Sequence, residues 1–242
     1  MTYSSVIITG GAQGIGLAVV ERCLRDGYNV IACDIDEKAL DRLRAAHSRE
    51  NISTFSVDVS DYAQADALFR ELEAKGEYPS CLVNNAGIYL GKDILEYSPE
   101  EIDRVIATNI LGSVYFSQMF GKALRTRSMQ GSIVNISSVA GEEGGSDAIY
   151  SLTKAALIGL TKSCAMNFAP HIRVNAIAPT LVNTDLIRRV PQSRVDDYRK
   201  NELLKDPILP EDVANTVAFL LGDQSRHYTG AVLDLNNGVY RR

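Results

Sequence analysis

The sequence has few cysteines, and none of them has metal-ligand spacing. The four cysteines, Cys23, Cys33, Cys81 and Cys164, lie far apart in 242 residues. Close Cys or His groups are typical of zinc sites, and evenly paired cysteines of secreted disulfide frameworks. Two of the four lie in or beside predicted strands and two in predicted helices, where cysteine is commonly a small buried residue. We therefore expect no metal site, and a reducing compartment, by default the cytoplasm.

The sequence also lacks a long apolar run and a cluster of positive charge. No apolar run reaches the ~20 residues that span a bilayer, and a strand that begins by Val6 leaves no room for a leader and a cleavable signal segment. The net charge is −5, with Lys and Arg scattered among acidic residues. Nucleic-acid and anionic-membrane surfaces need clustered basic side chains. We expect no nucleic-acid partner and no membrane partner.

Short β-branched runs alternate with longer helical windows from end to end. The runs predict seven strands, at 6–9, 29–34, 54–58, 81–84, 132–136, 173–177 and 232–235. Several are almost purely apolar, which is typical of strands covered on both faces. The pattern predicts an α/β fold. We expect one domain, residues 1–242, with a Rossmann-type, doubly wound, seven-stranded parallel sheet and helices on both faces.

Two long helices are also indicated. The segment Ser98-Pro99-Glu100-Glu101 combines a cap residue, a proline at the first helical position and a capping-box glutamate. We expect the helix that it opens to continue through Asn109 to about residue 125, with Gly112 as its weakest point. A second helix is expected from about residue 147 to residue 168, where a following proline stops it.

A glycine-rich turn follows the first strand and leads into an apolar helix start. Glycines there let the backbone approach a pyrophosphate, and the helix N-terminus offers N–H groups and a positive dipole end to the anion. The glycine spacing is one residue wider than the common Gly-x-Gly-x-x-Gly, and a plain tight turn is the alternative. The candidate cofactor contacts are Gly10, Gln13, Gly14, Ile15 and Gly16.

Asp34 ends the second strand, where a carboxylate can accept hydrogen bonds from a ribose 2′-hydroxyl. The same carboxylate repels a 2′-phosphate. No Arg follows it at once, and Gln13 occupies the turn where a basic residue could have met that phosphate. The alternative is a solvated strand end, or a cap for the helix that begins near Asp36. The predicted cofactor is NAD.

Further motifs, taken with the glycine-rich turn, resemble the short-chain dehydrogenase/reductase family over the whole chain. They are Asp58-Val59, Asn84-Asn85-Ala86-Gly87, Asn109, Ser137 and Tyr150-Ser151-Leu152-Thr153-Lys154. Ser137 precedes Tyr150 by 13 positions (150 − 137), which is the family's spacing. The resemblance implies an oxidoreductase that moves a hydride between NAD and a secondary alcohol or ketone, with no metal.

The candidate catalytic residues are Asn109, Ser137, Tyr150 and Lys154. Tyr150 and Lys154 are four apart and share a helix face. An adjacent ammonium is expected to lower the pKa of the phenol from near 10 towards neutrality, which suits a general acid/base. By the resemblance, Tyr150 exchanges the hydroxyl proton and Lys154 also binds the nicotinamide ribose. Ser137 then hydrogen-bonds the substrate oxygen, and Asn109 holds a water that links Lys154 to solvent.

Each of these four residues also has a structural alternative. A Tyr and a Lys four apart are ordinarily a surface pair. Ser137 could merely hydrogen-bond backbone groups at the end of its strand, and Asn109 could be a buried polar residue bonded to backbone. The four together, in family order, favour the catalytic interpretation.

The resemblance also implies contacts along the rest of the cofactor. Asp58 and Val59 correspond to an adenine contact. The backbone of Asn85, Ala86 and Gly87 corresponds to the part of the site that lines the adenosine half of the cofactor. The segment after the sixth strand supplies Pro179, Val182 and Thr184. Of these, the Val182 backbone and the Thr184 hydroxyl correspond to contacts with the carboxamide of the nicotinamide ring. The sequence departs from the family at Thr180, where glycine is usual. The larger side chain could narrow the part of the cavity that binds the substrate.

Substrate specificity is expected from residues 139–149, from Ile88-Tyr89-Leu90 and from a lid at about residues 184–209. Glu142 or Glu143 is a candidate acceptor for a polyhydroxylated or amine-bearing substrate; the alternative is a solvated loop with Asp147 capping the next helix. In the lid, Arg188, Arg189 and Arg194 could bind a carboxylate. We favour the alternative that they face water, as most surface charges do.

The favoured function is an NAD-dependent dehydrogenase of a secondary alcohol. One alternative is a 3-oxoacyl thioester (acyl-carrier-protein) reductase that uses NADPH, against which Asp34 weighs. Another is a non-catalytic NAD-binding sensor or scaffold, against which the complete set of four catalytic residues weighs. The apolar segment 155–160 on the second long helix suits closed two-fold packing, and we expect a homotetramer or homodimer. The sequence does not name the substrate.

Overall fold

Seven parallel strands form one sheet in the computed structural model, which describes residues 5–184, 187, 190 and 192–241. The strands are β1 (Ser5–Thr9), β2 (Asn29–Asp34), β3 (Ile52–Ser56), β4 (Cys81–Asn84), β5 (Gly131–Ile136), β6 (Ile172–Pro179) and β7 (Val232–Leu235). Their order across the sheet is β3-β2-β1-β4-β5-β6-β7, and every neighbouring pair is parallel. The predicted doubly wound α/β fold is confirmed.

Helices cover both faces of the sheet. The described helices are α1 (Gly14–Arg25), α2 (Glu37–Ala46), α3 (Tyr62–Ala74), α4 (Pro99–Ile106), α5 (Gly112–Arg125), α6 (Ala140–Glu143), α7 (Ala148–Phe168), α8 (Gln192–Asn201) and α9 (Pro210–Leu221). In β1, Val6 and Ile8 pack with α1 and α9, whereas Ile7 between them packs with α3, α5 and α7. Alternate side chains of a strand point to opposite faces, so both faces of this strand carry a dry core.

The predicted bounds are correct for β2, β4 and β7 and are shifted elsewhere. β3 ends at Ser56, two residues earlier than predicted, because the chain turns at Asp58, whose carboxylate accepts hydrogen bonds from the N–H and hydroxyl of Ser60. β6 is longer than predicted and extends to Pro179, because it pairs with both β5 and β7.

The first long helix is continuous from Pro99 to Arg125, as predicted, but it contains a π-helical turn. Its capping box is present, with Ser98 and Glu101 bonding reciprocally. A π-helical turn, Ala107–Leu111, then separates α4 from α5. Gly112 is therefore not the weak point; it is where Val59 packs, since a Cβ there would lie 2.8 Å from Val59 Cγ2. π turns often occur at functional sites, and Asn109 lies in this one.

The second long helix, α7, begins as predicted. Asp147 is its N-cap, and its buried carboxylate accepts a hydrogen bond from the backbone N–H of Tyr150 at 2.9 Å. The same carboxylate accepts from the Gly91 N–H and the Tyr97 hydroxyl. It therefore joins the loop after β4 to the start of α7.

All four cysteines are buried free thiols. Among the described residues, none of the helices is both long and apolar enough to cross a membrane, and no three His, Cys, Asp or Glu side chains cluster as metal ligands would.

Candidate active site

A cavity of about 1140 Å³ opens where the strands end at their carboxyl termini. In doubly wound sheets ligands bind in this crevice, at the point where the strand order reverses; here that point lies between β1 and β4. The wall contains all the predicted cofactor residues except Gly16. They are Gly10, Gln13, Gly14, Ile15, Asp34, Asp58, Val59, Asn85, Ala86, Gly87, Tyr150, Lys154, Pro179, Val182 and Thr184.

Glycine is required at three positions of the glycine-rich turn, two for backbone conformation and one for space. Gly10 and Gly14 have φ of +62° and +52°, a region that L-residues with side chains rarely adopt. A Cβ on Gly16 would lie 1.9 Å from the carbonyl oxygen of Gly10. Gly16 is thus buried against the turn and does not line the cavity; it lets α1 approach closely enough for the Gly14 and Ile15 backbone to form the wall.

The loop after β4 holds this turn in place. The amide of Asn85 donates to the carbonyl oxygens of Thr9 and Gly10, both at 3.0 Å. The Thr9 hydroxyl accepts hydrogen bonds from the N–H groups of Asn85 and Ala86. Asn84 points the other way, into the core, where its amide bonds to Asn135 across β4 and β5. Segment 84–87 therefore both lines the cavity and braces the sheet centre.

Asp34 lies in the cavity wall, and its carboxylate can accept more hydrogen bonds than the protein donates to it. Its Oδ2 accepts the N–H of Ala12 at 3.0 Å, and its Oδ1 accepts the N–H of Asp36 at 3.1 Å. A carboxylate has about four lone-pair sites, so two remain for a ribose. The cap of α2 is Asp36, not Asp34, and Asp36 also accepts from the Gln13 amide. Neither the glycine-rich turn nor segment 34–36 adds a Lys or Arg to the wall.

The segment after β6 closes the opposite side of the cavity. Val182 pairs with Ile208 in an isolated parallel bridge, and the Thr184 N–H bonds to the Val182 carbonyl oxygen. The Thr180 side chain is buried and its hydroxyl has no hydrogen-bond partner. Thr180 therefore places a methyl and a hydroxyl group where the family usually has a bare backbone.

Lys154 and Tyr150 share a helix face, as predicted, and both line the cavity. Lys154 is 5% exposed, and its Nζ donates to the Ile136 carbonyl oxygen at 2.7 Å and lies 5.6 Å from the Tyr150 ring centroid. Burial lowers the pKa of Lys154 to about 8. Burial also raises the pKa of Tyr150 to about 12, partly opposed by a hydrogen bond from Ser138.

The predicted downward shift of the Tyr150 pKa is therefore wrong for the protein alone. Burial disfavours the charged form of both groups. The amine is held on a backbone oxygen of β5 rather than on the phenol, so its charge does not outweigh that burial.

Ser137 lines the cavity, but its hydroxyl is engaged with the backbone of α7. Its Oγ donates to the carbonyl oxygen of Lys154 at 2.7 Å, and the residue is 2% exposed. The hydroxyl beside the phenol of Tyr150 belongs to Ser138, which also lines the cavity. The structure thus places Ser138, rather than the predicted Ser137, beside the phenol.

Asn109 has its side-chain amide fully engaged and is completely buried. Its Oδ1 accepts the Ile88 N–H at 2.8 Å, and its Nδ2 donates to the Ile88 carbonyl oxygen and to the Thr153 hydroxyl. The expected water at Asn109 stays a prediction. A Cβ on Gly87 would lie 3.3 Å from Asn109 Oδ1 and 3.6 Å from Lys154 Nζ. Asn109 thus fixes the loop that packs against Lys154.

Aromatic and charged side chains surround Tyr150 at the substrate end. The Tyr89 ring packs edge-on against the Tyr150 ring, with centroids 5.0 Å apart. Tyr198 and Arg194, both from α8, also line the cavity. Glu142 and Glu143, the predicted substrate acceptors, do not line it; Glu143 is hydrogen-bonded to the Tyr198 hydroxyl instead.

The lid prediction is tested only in part. Arg188 and Arg189 lie outside the described residues. Arg194 is exposed, as favoured, but it is also part of the cavity wall.

Sequence reasoning missed Ser138 and Tyr198. The pair Ser137-Ser138 at the end of β5 offered a signal for the first, because either hydroxyl could have faced the cavity. Tyr198 had no signal: it lies on a polar helix, and only packing of α8 over the cavity brings it near Tyr150.

Comparison with known proteins gives consistent matches over the full length. A family model described as enoyl-(acyl carrier protein) reductase matches residues 10–240. The (3R)-3-hydroxyacyl-CoA dehydrogenase of Homo sapiens is 33% identical over 97% of this chain and 94% of that protein.

Solved structures agree. A short-chain dehydrogenase/reductase, glucose/ribitol dehydrogenase from Brucella melitensis, has a TM-score of 0.92 at 28% identity and full coverage of both chains. A 4-hydroxyisoleucine dehydrogenase complexed with NADH has a TM-score of 0.91 at 30% identity, over 98% of each chain.

The buried amine predicts a pH-dependent stability. Lys154 has a pKa of about 8 in the folded protein against 10.5 ordinarily. Between these values the unfolded chain binds more protons, so stability rises with pH. Relative to Lys154→Met, we expect the wild-type free energy of unfolding to increase from pH 8 to pH 10 by on the order of 1 kcal/mol per pH unit, measured by urea unfolding without cofactor. Lys162→Met, at an exposed position of α7, is the control. Parallel curves for wild type and Lys154→Met would contradict the assignment.

Proposed function

The chain belongs to the short-chain dehydrogenase/reductase family, and from that premise we propose that Tyr150, Ser138 and Lys154 carry its reaction. The chain is an oxidoreductase that acts on CH–OH groups and uses a nicotinamide cofactor. One observation supports the residue assignment above others. The hydroxyl of Ser138 is close enough to the phenol of Tyr150 to oppose the rise of its pKa, and both residues line the same cavity that the glycine-rich turn opens.

The residues present fit a dinucleotide. A Cβ at Gly10 would lie 3.0 Å from the Ala86 backbone, and one at Gly16 would overlap the turn itself, so these two positions admit only glycine. The N-terminus of α1 faces this space and suits a pyrophosphate. Asp34 suits a ribose diol, and Lys154 lies deep enough to reach the second ribose. When bound, the nicotinamide ring accepts the hydride from the alcohol carbon or supplies it to the ketone carbon.

The chain's own groups then hold the oxygen and move its proton. Ser138 donates a hydrogen bond to the substrate oxygen and fixes it beside Tyr150. The Tyr150 hydroxyl oxygen takes the alcohol proton during oxidation and returns it during reduction. Lys154 is an ammonium below pH 8, the pH of its pKa, and its charge favours the phenolate. Asn109 acts indirectly, because it positions the Ile88 backbone and Thr153 next to this group.

We further propose NAD, rather than NADP, as the cofactor. The Asp34 carboxylate keeps two lone-pair sites free in the cavity wall, and among the described residues the glycine-rich turn and segment 34–36 contribute no cation to the wall for a 2′-phosphate. The same feature disfavours the alternative, a 3-oxoacyl thioester reductase that uses NADPH. A non-catalytic sensor is disfavoured because the phenol, hydroxyl and amine are all in place.

Assembly and location follow as part of the proposal. The outer face of α7 exposes Leu152 (52%) and Met166 (82%), with Ala155 and Gly159 between them. Such a stripe suits two-fold packing against a second copy, so we propose a homodimer or homotetramer. Four buried free thiols fit a reducing compartment such as the cytoplasm. Residues 1–242 act as one domain, because one sheet collects strands from the whole chain.

Catalysis is tested by an absorbance screen at 340 nm. NAD and NADP are offered with a panel of secondary alcohols, polyols and hydroxy acids, and the ketone direction is run in parallel. We expect reduction of NAD that falls at least about a thousandfold in Tyr150→Phe, which has no proton to exchange. Ser138→Ala should lower kcat strongly, whereas Ser137→Ala should act mainly on stability. Equal activity of Ser138→Ala and wild type would overturn the serine assignment.

Cofactor choice is tested by Asp34→Asn. This isosteric change removes the negative charge and keeps an oxygen for the Ala12 N–H. We expect the ratio of kcat/KM for NADP to that for NAD to rise by about tenfold or more, since one repulsive charge is lost. Titration of each cofactor by protein fluorescence should show the same shift in Kd. A wild-type preference for NADP(H) would contradict the proposal.

Assembly is tested by sedimentation velocity at micromolar concentration. We expect the wild type to sediment as a dimer or tetramer and the Leu152→Glu, Met166→Glu double variant as a smaller species, because charge on the stripe opposes burial. Leu95→Glu changes another highly exposed apolar residue, away from α7, and serves as the control. A monomeric wild type would exclude the proposed assembly.

A further inference from the structure

Arg194 supplies positive charge at the substrate end of the cavity. The described wall contains three cationic residues, Arg104, Lys154 and Arg194. Lys154 is engaged with the Ile136 carbonyl oxygen. Burial raises the pKa of Tyr89 and of Tyr198, and Arg194 is close enough to both hydroxyls for its charge to oppose that rise, an effect that Arg104 does not share. Arg194 is therefore the cation that faces the space next to Tyr150.

Arg194 has no anionic partner among the residues that the structure describes. The nearby acidic groups are already used. Asp147 accepts hydrogen bonds from Tyr97, Gly91 and the Tyr150 backbone. Glu143 is bonded to Tyr198. An unpaired guanidinium in a cavity wall is available to bind an anion from solution.

A second donor lies beside it. Tyr89 is 7% exposed, its ring packs on that of Tyr150, and its hydroxyl accepts a hydrogen bond from Ser146. Tyr89 also lines the cavity. A hydroxyl can donate one hydrogen bond and accept two, so the Tyr89 hydroxyl is suited to donate to a group bound there.

The position of Arg194 is set from both ends of α8. At the C-terminal end, the Asn237 carbonyl oxygen accepts the N–H groups of Leu203 and Leu204, at 2.8 and 3.2 Å. Along the helix, the Tyr198 hydroxyl is bonded to Glu143 of α6. These contacts hold α8 over the cavity. The backbone of Arg194 is therefore positioned by the helix, without any bond made by the Arg194 side chain.

We propose that the substrate is a hydroxy acid or its oxo acid, whose carboxylate is bound by Arg194 and the Tyr89 hydroxyl while its alcohol oxygen lies at Ser138 and Tyr150. This inference rests on the proposed function and specifies its substrate class. A guanidinium presents parallel donors that match a carboxylate in a bidentate pair. The oxidation is the one already described: the alcohol carbon loses a hydride to NAD, the alcohol oxygen loses its proton to the phenolate form of Tyr150, which becomes the neutral phenol, and the carboxylate is unchanged.

The test compares hydroxy acids with their own methyl esters. The substrates are 2-hydroxybutanoate, 3-hydroxybutanoate and 4-hydroxypentanoate, their esters, and 2-butanol, each with NAD. We expect the wild type to prefer one acid over its ester by roughly ten- to a hundredfold in kcat/KM, as a charge-assisted bond allows. Arg194→Gln should raise KM for that acid by a similar factor, change kcat less than about threefold, and leave the ester unaffected.

Graded variants separate binding from folding. Arg194→Lys should retain part of the preference, and Tyr89→Phe should raise KM for the acid while it keeps the ring packing on Tyr150. Arg199→Gln, an exposed position of α8 outside the cavity wall, is the matched control and should behave as wild type.

A binding readout does not depend on turnover. Butanoate should raise the melting temperature of the NAD complex of Tyr150→Phe more than butanamide does, and Arg194→Gln should abolish the difference. Equal use of acid, ester and 2-butanol, or no effect of Arg194→Gln, would overturn the carboxylate site while leaving a dehydrogenase. Activity confined to acyl thioesters would also overturn it. Absence of any Tyr150-dependent turnover with butanoate binding intact would refute the proposed function and retain the anion site.

Discussion

Two reciprocal hydrogen bonds between the end of β5 and helix α7 are the constraint on which the site depends. The Lys154 amine donates to the Ile136 carbonyl oxygen, and the Ser137 hydroxyl donates back to the Lys154 carbonyl oxygen, each at 2.7 Å. Gly141 completes the contact, because a Cβ there would lie 2.5 Å from the Lys154 backbone. Once the strand end and the helix are joined in this way, Ser138 and Tyr150 have to face each other.

This arrangement explains the protonation preferences of the site. The groups that fix the helix are buried, and burial favours the neutral form of each: the pKa of Lys154 is lowered to about 8 and that of Tyr150 raised to about 12. Near neutral pH the lysine is still mostly charged, and the phenol is protonated. The pair therefore begins with its protons in place, which suits Tyr150 to give a proton to a ketone oxygen during reduction, whereas oxidation uses the phenolate that the Lys154 charge favours.

The fold and the cofactor half of the site could be predicted from sequence because they depend on local rules. Gly16 is needed where the backbone has no room for a Cβ, and Asp34 ends a strand whose neighbours are fixed by hydrophobic pattern. The serine could not be placed in this way. Spacing from Tyr150 counts through a loop of variable length, and the side chain that faces the cavity is decided by the bond that Ser137 makes with Lys154.

The substrate half obeys no comparable local rule. Tyr89, Arg194 and Tyr198 come from a loop and from a helix that packs on the site through tertiary contacts, and their own sequence neighbours do not predict a binding role. None of them is needed for the bonds between β5 and α7. They can therefore change without loss of the residues that move the hydride and the proton. The substrate of such a fold is best inferred from the charge and the hydrogen-bonding groups at this end of the cavity. Here those groups are a guanidinium and a phenol hydroxyl beside Tyr150.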